Sequence, residues 1–273
     1  MNIIVCIKQV PNTQAISIDP VTNTLIREGV ESILNPYDGY ALEAAARLKD
    51  KDPNIRIVVL CMGPPQAEAA LRECLAIAAD EAYLASDKFF GGSDTLATGY
   101  ILSESIKKIE ALEGAKFDMI FCGKQAIDGD TAQVGPQIAE ALDMPQTTYG
   151  VTCEMVDGEL QVLRETEDGK EIIALKLPCL ATFTKPNFEP RLPSVKRKFA
   201  VKKMEVKRIV ADDLAGLDRA KIGLNGSPTK VRRTFVPQVK KGGTIFTEGS
   251  AEETAPKLAQ LLVKNEIVTS VFV

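Results

Sequence analysis

The chain has 273 residues, 45% of them hydrophobic and 26% charged, which fits a soluble globular protein of one large domain or one domain with an extension and excludes a disordered or fibrous chain. It contains no histidine, so a Ser-His-Asp triad, a Cys-His dyad, a His-ligated metal and an imidazole base are all excluded. Residues 1–184 carry 15 basic and 28 acidic side chains, whereas residues 185–273 carry 18 basic and 9 acidic, marking the C-terminal third as a surface that meets a partner rather than part of the main core.

The six cysteines, Cys6, Cys61, Cys74, Cys122, Cys153 and Cys179, are never spaced as CxxC, which argues against a zinc ribbon or an iron–sulfur motif. Cys6, Cys61 and Cys122 each end an apolar run and read as small buried hydrophobes rather than nucleophiles. With no disulfide framework, no signal-peptide layout and no apolar run near the ~20 residues of a membrane span, the expected location is the cytoplasm. The absence of Trp argues against a base-stacking nucleic-acid surface.

Asn2–Ile7 is a continuous β-branched run, the pattern of a strand buried on both faces. A polar, turn-rich stretch follows from Pro11 to Glu31. Asn35-Pro36-Tyr37-Asp38 opens an Ala-rich helix reaching about Lys49, with Asn35 as N-cap, Pro36 at the first helical position and Asp38 facing the positive helix end. Ile55–Met62 is a second buried strand, Gln66–Ala79 a helix and Glu81–Ala85 a short strand. Ser93–Glu113 is a long helix with Leu96, Tyr100, Ile101, Ile106 and Ile109 on one face. Phe117–Cys122 is another strand and Thr131–Leu142 another helix. Beyond Gly150 the period changes: Gln146–Val156, Leu160–Thr166 and Glu171–Leu177 read as strands joined by Asp157-Gly158 and Asp168-Gly169 turns, with Leu180–Thr184 as a further strand. From Lys185 the chain is basic and broken by prolines. Gly242-Gly243 separates a long irregular stretch from a last helix near Ala251–Lys264. The expected division is an α/β domain over 1–184 and a basic docking loop and arm over 185–273.

Alternating strands and helices predict a doubly wound, mostly parallel sheet with an antiparallel extension. Such sheets bind ligands at the carboxyl ends of their strands, where strand order reverses. The loops after Cys6, Met62 and Cys122 are therefore the first places to look. The stretch Gly123 to Gly135 follows a buried strand and opens a helix, where free amides and the helix dipole favour phosphate. It is neither a Walker loop nor GxGxxG. It fits either an ordinary βα turn capped by Asp130 or Thr131, or an anion site in which Asp128 and Asp130 bind amides or hydroxyls. Gly91 to Thr98, with Ser93 or Asp94 as N-cap, is a second candidate. Three polar helix starts beside strand ends favour a nucleotide lying across them.

Together these residues resemble the β subunit of electron-transfer flavoproteins. The resemblance rests on Val5 to Val10, Asn35 to Asp38, Cys61 to Pro64, Gly123 to Asp128 with Gln133 and Gly135, Leu142 to Gln146, Val162 to Glu165, Leu175 to Pro178 and Asn187 to Pro193. Lys170 departs from it, standing where the family often has a second glycine. The resemblance implies an adenine-nucleotide α-hydrolase-like fold and a second, larger α subunit that carries FAD. It also implies an adenine nucleotide in this chain, FAD or alternatively AMP. By matching position the nucleotide would meet Cys6, Asn35, Pro36, Tyr37, Asp38 and Met62. It would also meet the run Gly123, Lys124, Gln125, Ala126, Ile127, Asp128, Gly129, Asp130, Thr131, Ala132, Gln133 and Val134. Leu192 would sit in a docking loop for a dehydrogenase, and the basic tail would embrace the α subunit.

The segment Gly92 to Thr98, with Asp94, Thr95 and Thr98, resembles electron-bifurcating members, where this helix start reaches the flavin end of FAD. The implied function is to take hydride from NADH and divide the electrons. One goes through the α-subunit FAD to an acyl-CoA or 2-hydroxy-acid dehydrogenase, the other to ferredoxin or flavodoxin. No acid–base or nucleophilic residue is expected. The alternatives are a conventional one-electron carrier with structural AMP, and a universal-stress-type nucleotide-binding protein, which leaves the basic tail unexplained.

Overall fold

The computed structural model describes residues 1–12, 17–18, 25–26, 31–230, 243–247 and 249–268. Most of the turn-rich stretch from Pro11 to Glu31, and Gly242, lie outside them. Two compact units are present, Met1–Arg233 and Thr234–Val273.

The first unit is built on a nine-stranded sheet. Its strands are β1 (Asn2–Ile7), β6 (Arg56–Met62), β7 (Glu81–Ala85), β8 (Met119–Gly123), β9 (Gln146–Val156), β10 (Glu159–Thr166), β11 (Gly169–Leu175), β12 (Cys179–Phe183) and β13 (Val206–Ile209). Between β1 and β6 lie four minor strands, β2 (Gln9–Pro11) paired with β5 (Ser32–Leu34), and β3 (Ser17–Ile18) paired with β4 (Leu25–Ile26). The order across the large sheet is β11-β10-β9-β12-β8-β1-β6-β7-β13. Every neighbouring pair from β9 to β13 is parallel, and β10 and β11 add the antiparallel extension. From β1 the chain builds outward through β6 and β7, then returns to place β8 on the other side, so strand order reverses between β1 and β8.

Alternation along β1 explains both layers. Ile3, Val5 and Ile7 face one apolar cluster while Ile4 and Cys6 face another, as a period-two strand covered on both faces requires. Helices α1 (Pro36–Lys51) and α2 (Glu68–Ile77) cover the first face through Leu42, Leu48, Leu71 and Leu75. Helices α3 (Thr95–Glu113) and α4 (Val134–Ala141) cover the second through Ile101, Ile106, Ile109 and Ile138. Leu96 departs from the expected apolar face: it stands 52% exposed at the first turn of α3.

The fold does not divide where the charge does. Val206–Ile209 lies in the stretch read as irregular, yet it pairs in parallel with β7 and ends the sheet. Helix α5 (Val195–Val201) lies beside α2, where Arg197 donates to the carbonyls of Leu75 and Ala79. Short elements with charged outward positions hid this segment: only Val206 and Ile209 of β13 are buried, too few for a periodic signal. Helix α6 (Gly223–Gly226) closes the unit. In the second unit, α7 (Ala251–Lys264) starts at a capping box of Ser250 and Glu253 and buries no residue.

Candidate nucleotide site

A cavity of about 330 Å³ opens at the switch between β1 and β8. The carboxyl ends of three strands form its floor through Cys6, Met62 and Cys122. Its two walls are the segment Gly123–Gly135 and the start of α3 from Ser93 to Thr98.

The first wall is held by β1 and α1. Asn35 occupies the N-cap position of α1 but makes no capping bond, contrary to expectation. Its buried amide instead donates to the Gln125 carbonyl at 2.8 Å and accepts from the Ile127 N–H at 3.2 Å, pinning the loop after β8. Lys8 pairs with Asp128 at 2.7 Å, and Gln125 donates to Asp130 at 2.6 Å. The carboxylates of Asp128 and Asp130, which would repel a phosphate, are thus engaged by Lys8 and the Gln125 side-chain amide, and neither lines the cavity.

The helix in this wall begins at Val134 rather than Thr131, with Gln133 as N-cap and no side-chain cap, so neither Asp130 nor Thr131 caps it. Asp130 and Ala132 have φ of 49° and 52°, incompatible with a helical turn, and Pro136 suits the first turn of a helix that starts just before it. The consequence for chemistry is favourable. Left-handed residues in such a loop turn successive amides toward one side, a concavity suited to anions. Among the described residues, the amides of Thr131, Ala132, Gln133, Val134 and Gly135 meet no protein acceptor.

Asp38 joins the strand ends. It is buried and accepts the Lys8 N–H at 2.7 Å, with the Asn35 side chain and the Gly123 amide close enough to favour its charged form. Burial pushes its carboxyl from 3.8 up to about 7 despite those contacts. Gly123 is required here, because a Cβ would collide with the Asp38 carboxylate and lie 2.6 Å from the Tyr37 carbonyl carbon. Cys6 and Cys122 sit side by side in register on β1 and β8. The Cys122 thiol, hydrogen-bonded to the free thiol of Cys6 and buried, is pushed well above the ordinary thiol range, and burial pushes Cys61 up to about 12. All three are buried, and neither Cys61 nor Cys122 is an activated nucleophile.

The second wall is the capped start of α3. Asp94 accepts the Ala97 N–H at 3.0 Å. Burial raises its carboxyl, but the amides of Ala97 and Thr229 outweigh that and hold it below its ordinary value. Thr95 donates to Gln133 at 2.8 Å, linking the two walls.

The cavity brings together Cys6, Asn35, Asp38, Met62, Asp94, Thr95, Thr98 and most of the run from Gly123 to Val134. Pro36, Tyr37, Ile127, Asp128 and Asp130 do not line it. Tyr37 flanks it instead, its ring 5.9 Å from the Lys124 ammonium. Sequence reasoning passed over Ile7, Lys8, Leu102 and Cys122 as lining residues. Their register was the available signal: Cys122 and Ile7 neighbour Cys6 at paired strand ends. Leu192 is 88% exposed.

The residues present fit an adenine nucleotide. The donor set is free amides, Lys124 and hydroxyls, over an apolar floor. A match to the electron transfer flavoprotein domain covers residues 22–214. Among curated proteins, the electron transfer flavoprotein subunit beta of Thermoanaerobacterium thermosaccharolyticum is 51% identical, across 98% of this chain and 100% of the relative. The chain belongs to the electron transfer flavoprotein family, as a β subunit. The β subunit of Megasphaera elsdenii is 48% identical over 98% of this chain and 100% of its own. The caffeyl-CoA reductase-Etf complex subunit CarD of Acetobacterium woodii is 47% identical with the same coverage. The activity class of this flavoprotein subunit is therefore electron transfer, and the universal-stress-type alternative gives way. Among the described residues, no helix is long and apolar enough to cross a membrane.

Proposed function

We propose that this β subunit binds FAD in the cavity at the β1–β8 switch and works as the NADH-oxidising half of an electron-bifurcating flavoprotein. A flavin bound there would supply the redox chemistry, accepting hydride from NADH and passing one electron toward the FAD of an α subunit and the other to ferredoxin or flavodoxin. The chain's own residues bind, orient and exclude water. Amides from Thr131 to Gly135 hold the phosphates, and Lys124 adds positive charge. Cys6, Met62 and Cys122 form an apolar floor that keeps water from the ligand. The single observation that carries the FAD reading is that the Ser93–Thr98 helix start, with its hydroxyls, lines the same cavity as the phosphate loop.

The α subunit would be embraced by the basic C-terminal arm, whose helix α7 leaves Leu258 and Val263 exposed. The loop around exposed Leu192 would dock an acyl-CoA or 2-hydroxy-acid dehydrogenase. The Acetobacterium relative is named as a subunit of a complex with a caffeyl-CoA reductase, which supports the acyl-CoA class. A cytoplasmic location completes the reading.

A second reading, the conventional carrier with structural AMP, is favoured by one observation. A cavity of about 330 Å³ lies at the small end of ligand sites, and the Thr95–Gln133 bond spans its two walls. The test is the nucleotide content and NADH response of the purified heterodimer. Two FAD per heterodimer and bleaching by NADH are expected. One FAD with one AMP, and no response to NADH, would favour the second reading.

A further inference from the structure

The wall at Ser93–Thr98 is held from far along the chain as well as by its own cap, in which Asp94 accepts the Ala97 amide and Ser93 donates to the Phe90 carbonyl. Three hydrogen bonds reach it from residues more than 125 positions away. The Gly223 amide donates to the Ser93 hydroxyl at 3.0 Å, the Asp94 amide donates to the Ser227 hydroxyl at 2.8 Å, and the Thr229 amide donates to the Asp94 carboxylate at 2.8 Å. Ser227 is 3% exposed and also donates to the Gly223 carbonyl at 2.7 Å, so its hydroxyl is satisfied on both sides. Gly223 has a φ of 64°, and a Cβ there would stand 2.5 Å from the Phe89 carbonyl oxygen, so the backbone is seated directly on the loop before α3. None of Gly223, Ser227 and Thr229 lines the cavity.

We propose that Gly223–Thr229 is a latch, with Ser227 as a positioning residue, that sets the Ser93–Thr98 wall for the distal half of a dinucleotide and so selects FAD over AMP. This rests on the reading that FAD extends along that wall. The opposite wall is fixed by Asn35, Lys8 and Gln125, none of which touches the latch through those bonds. Loosening Ser227 therefore acts first on one end of the ligand, and reaches the other wall through the Thr95–Gln133 hydrogen bond. Asp94 caps α3 through one carboxylate oxygen, which accepts the Ala97 amide, and meets the latch through the other, which accepts the Thr229 amide.

The test uses the full-length chain titrated separately with FAD and with AMP. Ser227→Ala is expected to weaken FAD about tenfold, the worth of one or two buried hydrogen bonds, while AMP affinity stays within about twofold. Ser227→Thr, which keeps the hydroxyl, should restore FAD binding. Thr229→Pro, at an exposed position, deletes the Thr229 amide and hydroxyl that reach Asp94 while leaving Ser227 in place, and should shift FAD in the same direction by a smaller factor, guarding against a Ser227 variant that misfolds. Parallel loss of both ligands in Thr229→Pro, or no change in FAD in both variants, would overturn the latch while leaving the site reading intact. A wild-type chain that binds AMP but not FAD would overturn the FAD reading and the latch with it.

Discussion

The two walls of the cavity are built in opposite ways. The Gly123–Gly135 wall is one contiguous segment following β8, pinned by residues at the neighbouring end of β1 and the start of α1. The Ser93–Thr98 wall depends on partners at 223, 227 and 229. A wall held locally is fixed by the sheet itself. A wall held from a distant segment can change without disturbing the core, which on the proposed function would suit it to vary the ligand while the first wall keeps the phosphates.

The largest expected effect concerns Asp38, where the first wall meets the sheet. Its carboxyl stands at about 7 in the folded chain against 3.8 unfolded. Below about pH 4 both states are protonated and the group costs nothing. Between pH 4 and 7 the unfolded chain releases the proton first, so stability falls as pH rises, by about 4 kcal/mol for a shift of this size. Asp38→Asn should remove that part of the slope in urea denaturation at a series of pH values. An unchanged slope would mean the burial argument is wrong.

Asn35→Ala strands the Gln125 carbonyl and the Ile127 amide. A loss of about 2 kcal/mol in stability is expected, with FAD and AMP affinities falling together. If only FAD suffered, the two walls would not be independent. Asp94→Ala removes the cap of α3 and should cost about 1 kcal/mol in thermal or chemical unfolding while weakening FAD and sparing AMP. Breaking the half-exposed Lys8–Asp128 pair with Lys8→Met should cost well under 1 kcal/mol, measured by the same denaturation.

The same contrast explains what was legible in the sequence. β1, β6 and β8 were readable because strands buried on both faces leave unbroken apolar runs, and the loops at their ends pointed to the cavity floor. The first wall was readable because its glycines, Lys124 and Gln125 sit together in the chain. The start of α4 was misplaced by three residues, since alanine gives no sign of the left-handed backbone at Ala132 and Asp130 reads equally well as an N-cap. Asn35 was correctly singled out, but its side chain serves a loop 90 positions away rather than its own helix. The latch was invisible: Gly223, Ser227 and Thr229 make sense only once β13 brings the chain back beside β7, and two buried residues in a basic stretch gave no sign of that strand.

The most direct measurement is a crystal or cryo-electron-microscopy structure of the full-length chain, in complex with its α subunit, carrying its bound nucleotide. The phosphates should lie within hydrogen-bond distance of the amides from Thr131 to Gly135, with the adenylate over Cys6 and Met62. An adenylate lodged elsewhere, with those amides facing water, would contradict the account.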